Sequence, residues 1–160
     1  MGNEAGLSLN GQIPNAMKSW TPAELALEGK NLKAAGATAY TSDFVDVTGC
    51  TNFQIVLKTA VVGTVSAGAA KLSITFYDYK EAQISPTHDV VTAISTQVNG
   101  QCAVVGFGGG VAAAAINGTV GTNVGALRGA SKAKITLTVS TQGDAVTSQT
   151  GDVYFNAWAN

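Results

Sequence analysis

"KLSITFYDY" (residues 71–79) and "KAKITLTVST" (residues 132–141) alternate apolar and polar side chains along most of their length. The first segment places Leu72, Ile74 and Phe76 on one face of an extended chain. The apolar positions of the second segment are Ala133, Ile135, Leu137 and Val139. Successive side chains of a β-strand point to opposite faces, so a strand with one buried and one solvated face has this period. Both segments predict strands of an antiparallel sheet.

Other segments repeat the pattern. "NFQIVLKT" (residues 52–59) sets Phe53, Ile55 and Leu57 against a more polar face. Shorter strand candidates lie at residues 39–47, 89–95, 101–106 and 152–158. Asn99-Gly100 predicts a tight hairpin between two of them, because both residues tolerate a positive φ. Seven or eight short strands joined by turn residues predict an all-β antiparallel sandwich or jelly roll.

The first 36 residues lack this alternation. Thr21-Pro22-Ala23-Glu24 forms a capping box with Pro at the first helical position, which predicts a short helix near residues 22–28. The same stretch is equally compatible with an irregular arm. The sequence thus predicts an N-terminal arm at residues 1–36 and a sandwich domain at residues 37–160.

Isolated apolar residues occur along the arm. A frayed terminus and an arm that becomes ordered on a neighbouring subunit both agree with such a composition. If the arm binds a neighbour, its apolar side chains are the expected contacts. The candidate interface residues are Leu7, Leu9, Ile13 and Trp20.

Composition restricts the class of protein. Only 12% of the 160 residues are charged, and the net charge is −1. So little charge provides weak repulsion between copies, which indicates surface buried in an assembly. A small neutral monomer with a Ser, Thr and Asn surface is the alternative. The nine Lys and Arg residues are scattered, which argues against nucleic-acid binding.

No membrane segment or secretory signal is expected. The longest apolar run, residues 104–116, has 13 residues, fewer than the roughly 20 that a membrane-spanning helix needs. The first residues have neither a basic start nor an apolar core.

The stretch "GFGGGVAAAAINGTVGTNVGALRGA" (residues 106–130) contains a G-x-G-x-x-A pattern at residues 108–113. A dinucleotide site also needs a helix after the glycines and an acidic residue about 20 positions on. Glycines at positions 118, 121 and 125 would break that helix, and the next carboxylate is Asp144. We therefore predict no cofactor here, and instead a long loop of small residues at one end of a sheet protein, free to lie against another surface.

Catalytic and metal-binding patterns are lacking as well. His88 is the one histidine, no G-x-S-x-G motif occurs, and Asp78 and Glu81 lack the further oxygen ligands of a calcium loop. The expectation is therefore a chain that is not an enzyme and binds neither metal nor cofactor. Cys50 and Cys102 are 52 positions apart, and two reduced, buried thiols are favoured over a disulfide.

Four segments resemble a recurrent pattern among structural proteins of tailed bacteriophages. They are "AYTSDFVDVTGCTNFQIVLKT", "AAKLSITFYDY", "GALRGASKAKITLTVS" and "GDVYFNAWA". The chain is similar in particular to small capsid decoration (cement) proteins, over about residues 37–160. The resemblance implies a β-sandwich or jelly roll on the outside of the head, often as a trimer, that clamps neighbouring major-capsid subunits.

The expected function is accordingly that of a non-enzymatic structural protein of the virion. Its partners would be the major capsid protein and further copies of itself, and it would be made in the cytoplasm of the bacterial host. One alternative is another phage surface part, such as a head-fibre base, tail or baseplate domain. Another is a carbohydrate-binding β-sandwich module, in which Tyr154 and Trp158 on one strand face stack on sugar.

Overall fold

The computed structural model describes residues 24–100, 102–107, 118–120 and 129–158. These residues form ten strands and no helix. In chain order the strands are β1 (Glu24–Asn31), β2 (Ala39–Thr41), β3 (Val45–Asp46), β4 (Asn52–Val62), β5 (Ala69–Tyr77), β6 (His88–Ser95), β7 (Cys102–Phe107), β8 (Thr119–Val120), β9 (Lys132–Thr141) and β10 (Ser148–Trp158). Within the described residues no helix is long and apolar enough to cross a membrane.

Strand pairing follows a nested order. β1 pairs with β10, β2 with β9, β4 with β7 and β5 with β6, all antiparallel. The first half of the chain therefore pairs with the second half in reverse, as a long two-stranded ribbon. Pairing of β10 with β4 and of β9 with β5 rolls this ribbon into two sheets, β1-β10-β4-β7 and β2-β9-β5-β6-β8, with β3 also on β9. This connectivity is that of a jelly roll, so the predicted all-β sandwich is confirmed.

The core lies between the two sheets. All ten alternating apolar residues that the sequence placed inward are buried, with exposed fractions of 0–3%. They are Phe53, Ile55, Leu57, Leu72, Ile74, Phe76, Ala133, Ile135, Leu137 and Val139. Phe53 contacts the rings of both Phe76 and Phe155 at centroid distances of 6.1 and 6.0 Å, which joins β5 of one sheet to β10 of the other.

The predicted helix near residues 22–28 is wrong. Residues 24–31 form β1, the edge strand beside β10, and its Leu27 is buried in the core. Pairing with β10 and burial of an apolar side chain outweigh a local capping signal, whose contribution is small. The sandwich thus includes residues that were assigned to the N-terminal arm.

Two predictions about the strands also need correction. The turn at Asn99-Gly100 exists, and Gly100 has a φ of 70°, yet it joins β6 to β7 in different sheets and forms no hairpin. On β5, the alternation with Leu72, Ile74 and Phe76 predicts that the intervening Ser73 and Thr75 are solvated, but they are 2% and 6% exposed. The Ser73 hydroxyl donates a hydrogen bond to Asp89 Oδ1 on β6 at 2.7 Å. The Thr75 hydroxyl is hydrogen-bonded to the hydroxyl of Thr87, just before β6, at 2.8 Å.

Candidate interaction surface

Four loops meet at one end of the sandwich. They are residues 32–38, 63–68, 96–100 and 142–147, and we call this the four-loop end. Three valines at or beside these loops are exposed: Val62 at 54%, Val98 at 49% and Val146 at 78%. We call these three residues the valine patch. These three side chains leave apolar surface accessible at this end of the sandwich.

Backbone contacts gather the valine patch around the end of β4. On one side, the Val98 carbonyl accepts a hydrogen bond from Thr59 Oγ1 at 2.6 Å, and Asn99 Oδ1 accepts one from the Val61 amide at 3.3 Å. On the other side, the Thr147 amide donates to the Val62 carbonyl at 3.3 Å. The loops that carry Val98 and Val146 therefore flank Val62.

A buried glutamine connects two of the loops from inside. Gln149 is 1% exposed, and its Nε2 donates to the carbonyl and hydroxyl oxygens of Thr96 at 2.7 and 3.1 Å. Its Oε1 accepts a hydrogen bond from the Ala145 amide at 3.4 Å. Gln149 belongs to the four-stranded sheet and Thr96 follows β6 of the other sheet. The side chain therefore fixes the distance between the sheets at this end.

Close backbone approach explains one glycine in the same loops. A Cβ on Gly143 would lie 2.8 Å from the Leu32 carbonyl oxygen and 2.6 Å from Gln149 Cδ, closer than real Cβ atoms come. The Gly143 amide donates to that Leu32 carbonyl at 2.8 Å. Glycine at this position lets the 142–147 loop contact the chain after β1.

Asp144 holds the 63–68 loop against the 142–147 loop. Its Oδ1 accepts hydrogen bonds from the amides of Ser66 and Ala67 at 2.9 and 2.7 Å, and its Oδ2 accepts one from the Ser66 hydroxyl. The Ser66 hydroxyl, followed by the two amides, lowers the pKa of Asp144 below its ordinary value, because all three donors favour the ionised carboxylate. The four loops contain one further charged residue, Lys33. The four-loop end is therefore hydrogen-bonded internally and nearly uncharged.

Several predicted site residues cannot be placed. The candidate interface residues Leu7, Leu9, Ile13 and Trp20 lie outside the described residues, as does most of the glycine-rich stretch 106–130. Tyr154 and Trp158 do lie on one face of β10, pointing away from the core, and both are partly buried. Among the described residues, no group of three or more His, Cys, Asp or Glu side chains could hold a metal ion.

The two cysteines lie at opposite ends of the four-stranded sheet. Cys102 on β7 pairs with Lys58, whereas Cys50 comes two residues before Asn52 at the start of β4. Six residues of strand span roughly 20 Å, and a disulfide requires Cα atoms within about 7 Å. This register is incompatible with a Cys50–Cys102 disulfide. Cys50 is partly buried and packs against the core.

Sequence reasoning missed the valine patch. Each of its members stands within three residues of a glycine-containing turn, at Gly63, Gly100 and Gly143. Branched apolar residues beside turns are a weak signal of exposure. Only the proximity of three loops that are distant in sequence makes them one surface.

Comparison with known proteins gave no match to a protein-family model and none to a curated protein sequence. Three solved structures have some likeness to the chain. The enzymatically active domain of bacteriophage CBA120 tailspike protein 4 is 15% identical over 76% of this chain, with a TM-score of 0.38. A structure of infectious bursal disease virus is 14% identical over 82%, with a TM-score of 0.40. A protein from Sulfurospirillum deleyianum is 9% identical over 80%, with a TM-score of 0.37.

This chain spans 14% and 30% of the first two of those chains and 95% of the third. The first two are a phage protein and a virus structure, and nothing in them concerns capsid decoration. TM-scores this low carry no argument about function. One expectation is nevertheless corrected. The chain was predicted not to be an enzyme, but an enzymatically active domain is among its similar structures, so that exclusion is withdrawn. The likeness assigns no activity to this chain.

Proposed function

We propose that this chain is a structural protein of a tailed-phage particle, which binds the outside of the capsid and holds neighbouring major-capsid subunits together. The observation that carries the proposal is the valine patch on a four-loop end that hydrogen bonds hold in one arrangement. The resemblance of residues 37–160 to capsid decoration proteins supports the same reading. The jelly-roll connectivity also fits it, since viral capsid and lectin domains use this architecture.

The physical properties of the four-loop end suit attachment to a protein surface. Its three exposed valines supply apolar area, and its two charged residues add little desolvation cost. Gln149 and Asp144 already fix the loops, so binding requires little further ordering. We therefore assign the capsid-facing surface to the four-loop end.

Cementing follows from selective binding. A protein that binds the assembled shell but not its dissociated subunits stabilises the shell by mass action. We propose a cyclic homotrimer, because capsids present threefold and quasi-threefold positions and a trimer meets them with several equivalent contacts. Individually weak contacts then bind tightly together, because the second and third become intramolecular.

Co-sedimentation with phage heads tests the proposal. The purified chain is mixed with heads and, separately, with isolated tails of the phage that encodes it. Replacing Val62 or Val146 by Asp should weaken binding to heads by at least about tenfold, because a charge would be desolvated at each contact. Ile84→Asp is the matched control, since Ile84 is 48% exposed on the β5–β6 loop, at the other end of the sandwich.

Equal head binding by the valine variants and the Ile84 variant would refute the assignment of the surface. Binding to tails and not to heads would refute capsid decoration and favour a tail or baseplate part. Circular dichroism of each variant checks that the sandwich remains folded.

A further inference from the structure

A pocket lies at the end of the sandwich opposite the valine patch. It is open, has a volume of about 450 Å³, and lies between β3, the turn after it, the β5–β6 turn and the start of β9. Phe44 and Tyr79 supply its aromatic surface, and Asp46, Thr48 and Lys132 supply polar groups. The pocket thus combines aromatic faces with hydrogen-bond donors and acceptors.

The aromatic surface consists of one fixed ring and one exposed ring. Phe44 meets Tyr77 edge to face at a centroid distance of 5.0 Å, and Lys134 Nζ lies 4.2 Å from the Phe44 centroid. Tyr79 is 69% exposed, the highest exposed fraction of any large aromatic side chain among the described residues. A tyrosine this exposed contributes little to the core, and its ring is accessible to a ligand in the pocket.

The turn that carries Tyr79 is held in one conformation. Asp78 Oδ1 accepts hydrogen bonds from the amides of Lys80 and Ala82 at 2.8 and 2.9 Å. Glu81 has a φ of 67°, which is uncommon for a residue other than glycine. An ion pair of 2.6 Å between Glu81 and Lys132 ties this turn to β9 across the pocket. Strain of this kind is often retained where it positions a binding group.

The polar side of the pocket is fixed in the same way. Asp46 Oδ1 accepts a hydrogen bond from the Thr48 amide at 2.8 Å, and the Thr48 hydroxyl donates to the Ser131 carbonyl at 3.3 Å. Two carboxylates, Asp46 and Glu81, balance the charges of Lys132 and Lys134. A strongly anionic ligand would meet these carboxylates, and a purely apolar ligand would displace water from the charged groups without replacing its hydrogen bonds.

We propose that this pocket binds a neutral pyranose ring of a polysaccharide. A pyranose presents an apolar C–H face and a ring of hydroxyls, each of which can donate and accept. The C–H face would pack on Tyr79, and the hydroxyls would bond to Asp46, Thr48 and Lys132. The site differs from the Tyr154 and Trp158 platform that the sequence indicated. It stands on the pocket alone and does not depend on attachment to a capsid.

Direct binding measurements on the full chain test this inference. The probes are maltohexaose, cellohexaose and mannohexaose, with an oligomer of galacturonic acid as the acidic comparison. We expect at least one neutral oligosaccharide to bind in calorimetry, and Tyr79→Ala to weaken it by about tenfold or more. Tyr79→Phe keeps the ring and should retain most of the affinity. Tyr154→Ala is the matched control and should leave affinity unchanged.

Three results would overturn the inference. The first is no binding of any neutral oligosaccharide, and the second is binding of the acidic oligomer alone. The third is a loss of binding in Tyr154→Ala with none in Tyr79→Ala, which would restore the β10 face as the platform. Since Tyr79 is mostly exposed, its replacement should not unfold the protein, and a thermal melt of each variant checks this.

Discussion

Replacing Gln149 by Leu should destabilise the protein, even though the new side chain is apolar and of similar size. Gln149 is 1% exposed and provides the hydrogen-bond partner of the Thr96 carbonyl at 2.7 Å. Leu has no hydrogen-bond donor, so the Thr96 carbonyl loses this partner. Thr96 is itself 1% exposed. The cavity term is small because the volume is nearly conserved.

The magnitude follows from two contributions. A lost intramolecular hydrogen bond costs about 0.5–1.5 kcal/mol, and a buried carbonyl without a partner costs about 1–3 kcal/mol. We therefore expect the free energy of unfolding to fall by about 1.5–4.5 kcal/mol. For a chain of this length, that loss corresponds to a decrease in Tm of roughly 4–14 °C.

Urea unfolding followed by tryptophan fluorescence measures the change. Gln54→Leu is the matched control, because Gln54 is partly exposed on the outer face of β4 in the same sheet, and its replacement should change stability by less than about 0.5 kcal/mol. A lower urea midpoint with an unchanged dependence of the unfolding free energy on urea concentration would show that the stability changed and the denatured state did not. If both Gln→Leu variants lost the same amount, or neither lost any, the account of Gln149 as the link between the sheets would be wrong.

Four further predictions concern the core, pH, the cysteines and the arm. Ile135→Ala should cost about 2–5 kcal/mol in the same urea assay, whereas Thr136→Ser on the outer face should cost little, and equal losses would contradict the assigned faces. The Ser73 hydroxyl, and then Lys71, lower the pKa of Asp89 from 3.8. The stability that the Asp89 carboxylate contributes is therefore present above its pKa in the unfolded chain and is lost as the pH falls through its pKa in the folded protein. Asp89→Asn should accordingly be less stable than wild type at neutral pH and equal to it in strong acid, and a pH-independent difference would contradict this. Thiol titration without reductant should find two reactive thiols on unfolding, and finding none would reveal a disulfide to another molecule. Deleting residues 1–20 should leave the sandwich folded but reduce co-sedimentation with heads, and unchanged binding of the truncated chain would contradict a role of the arm in attachment. Light scattering of the full chain should show a trimer, and a monomer at micromolar concentration would contradict it.

The two proposals place different contacts at opposite ends of one rigid domain. The valine patch would face the particle, and the Tyr79 pocket would then point away from it, where a polysaccharide can reach it. The experiments are independent, because head binding is read from Val62 and Val146 and sugar binding from Tyr79. Failure of one leaves the other untouched.

The sequence by itself determined the alternating strands β4, β5 and β9 and the core residues that they bury. Alternation is a local property of each segment, and an extended chain converts it directly into an inner and an outer face. The inward positions of β4, β5 and β9 could therefore be assigned residue by residue. The turn at Asn99-Gly100 could be found for the same reason, because the φ angles it needs depend only on those two residues.

Tertiary structure alone decided the pairing and the surfaces. β1 pairs with β10, more than a hundred residues later, and that contact turned a segment with a helical capping signal into a strand. The same nested pairing sent β6 and β7 into different sheets and brought Val62, Val98 and Val146 to one end. The pocket beside Tyr79 likewise exists only because β3 and the start of β9 pack next to it. Local patterns contain no information on which distant segments meet, because that choice depends on the free energy of the whole packed core.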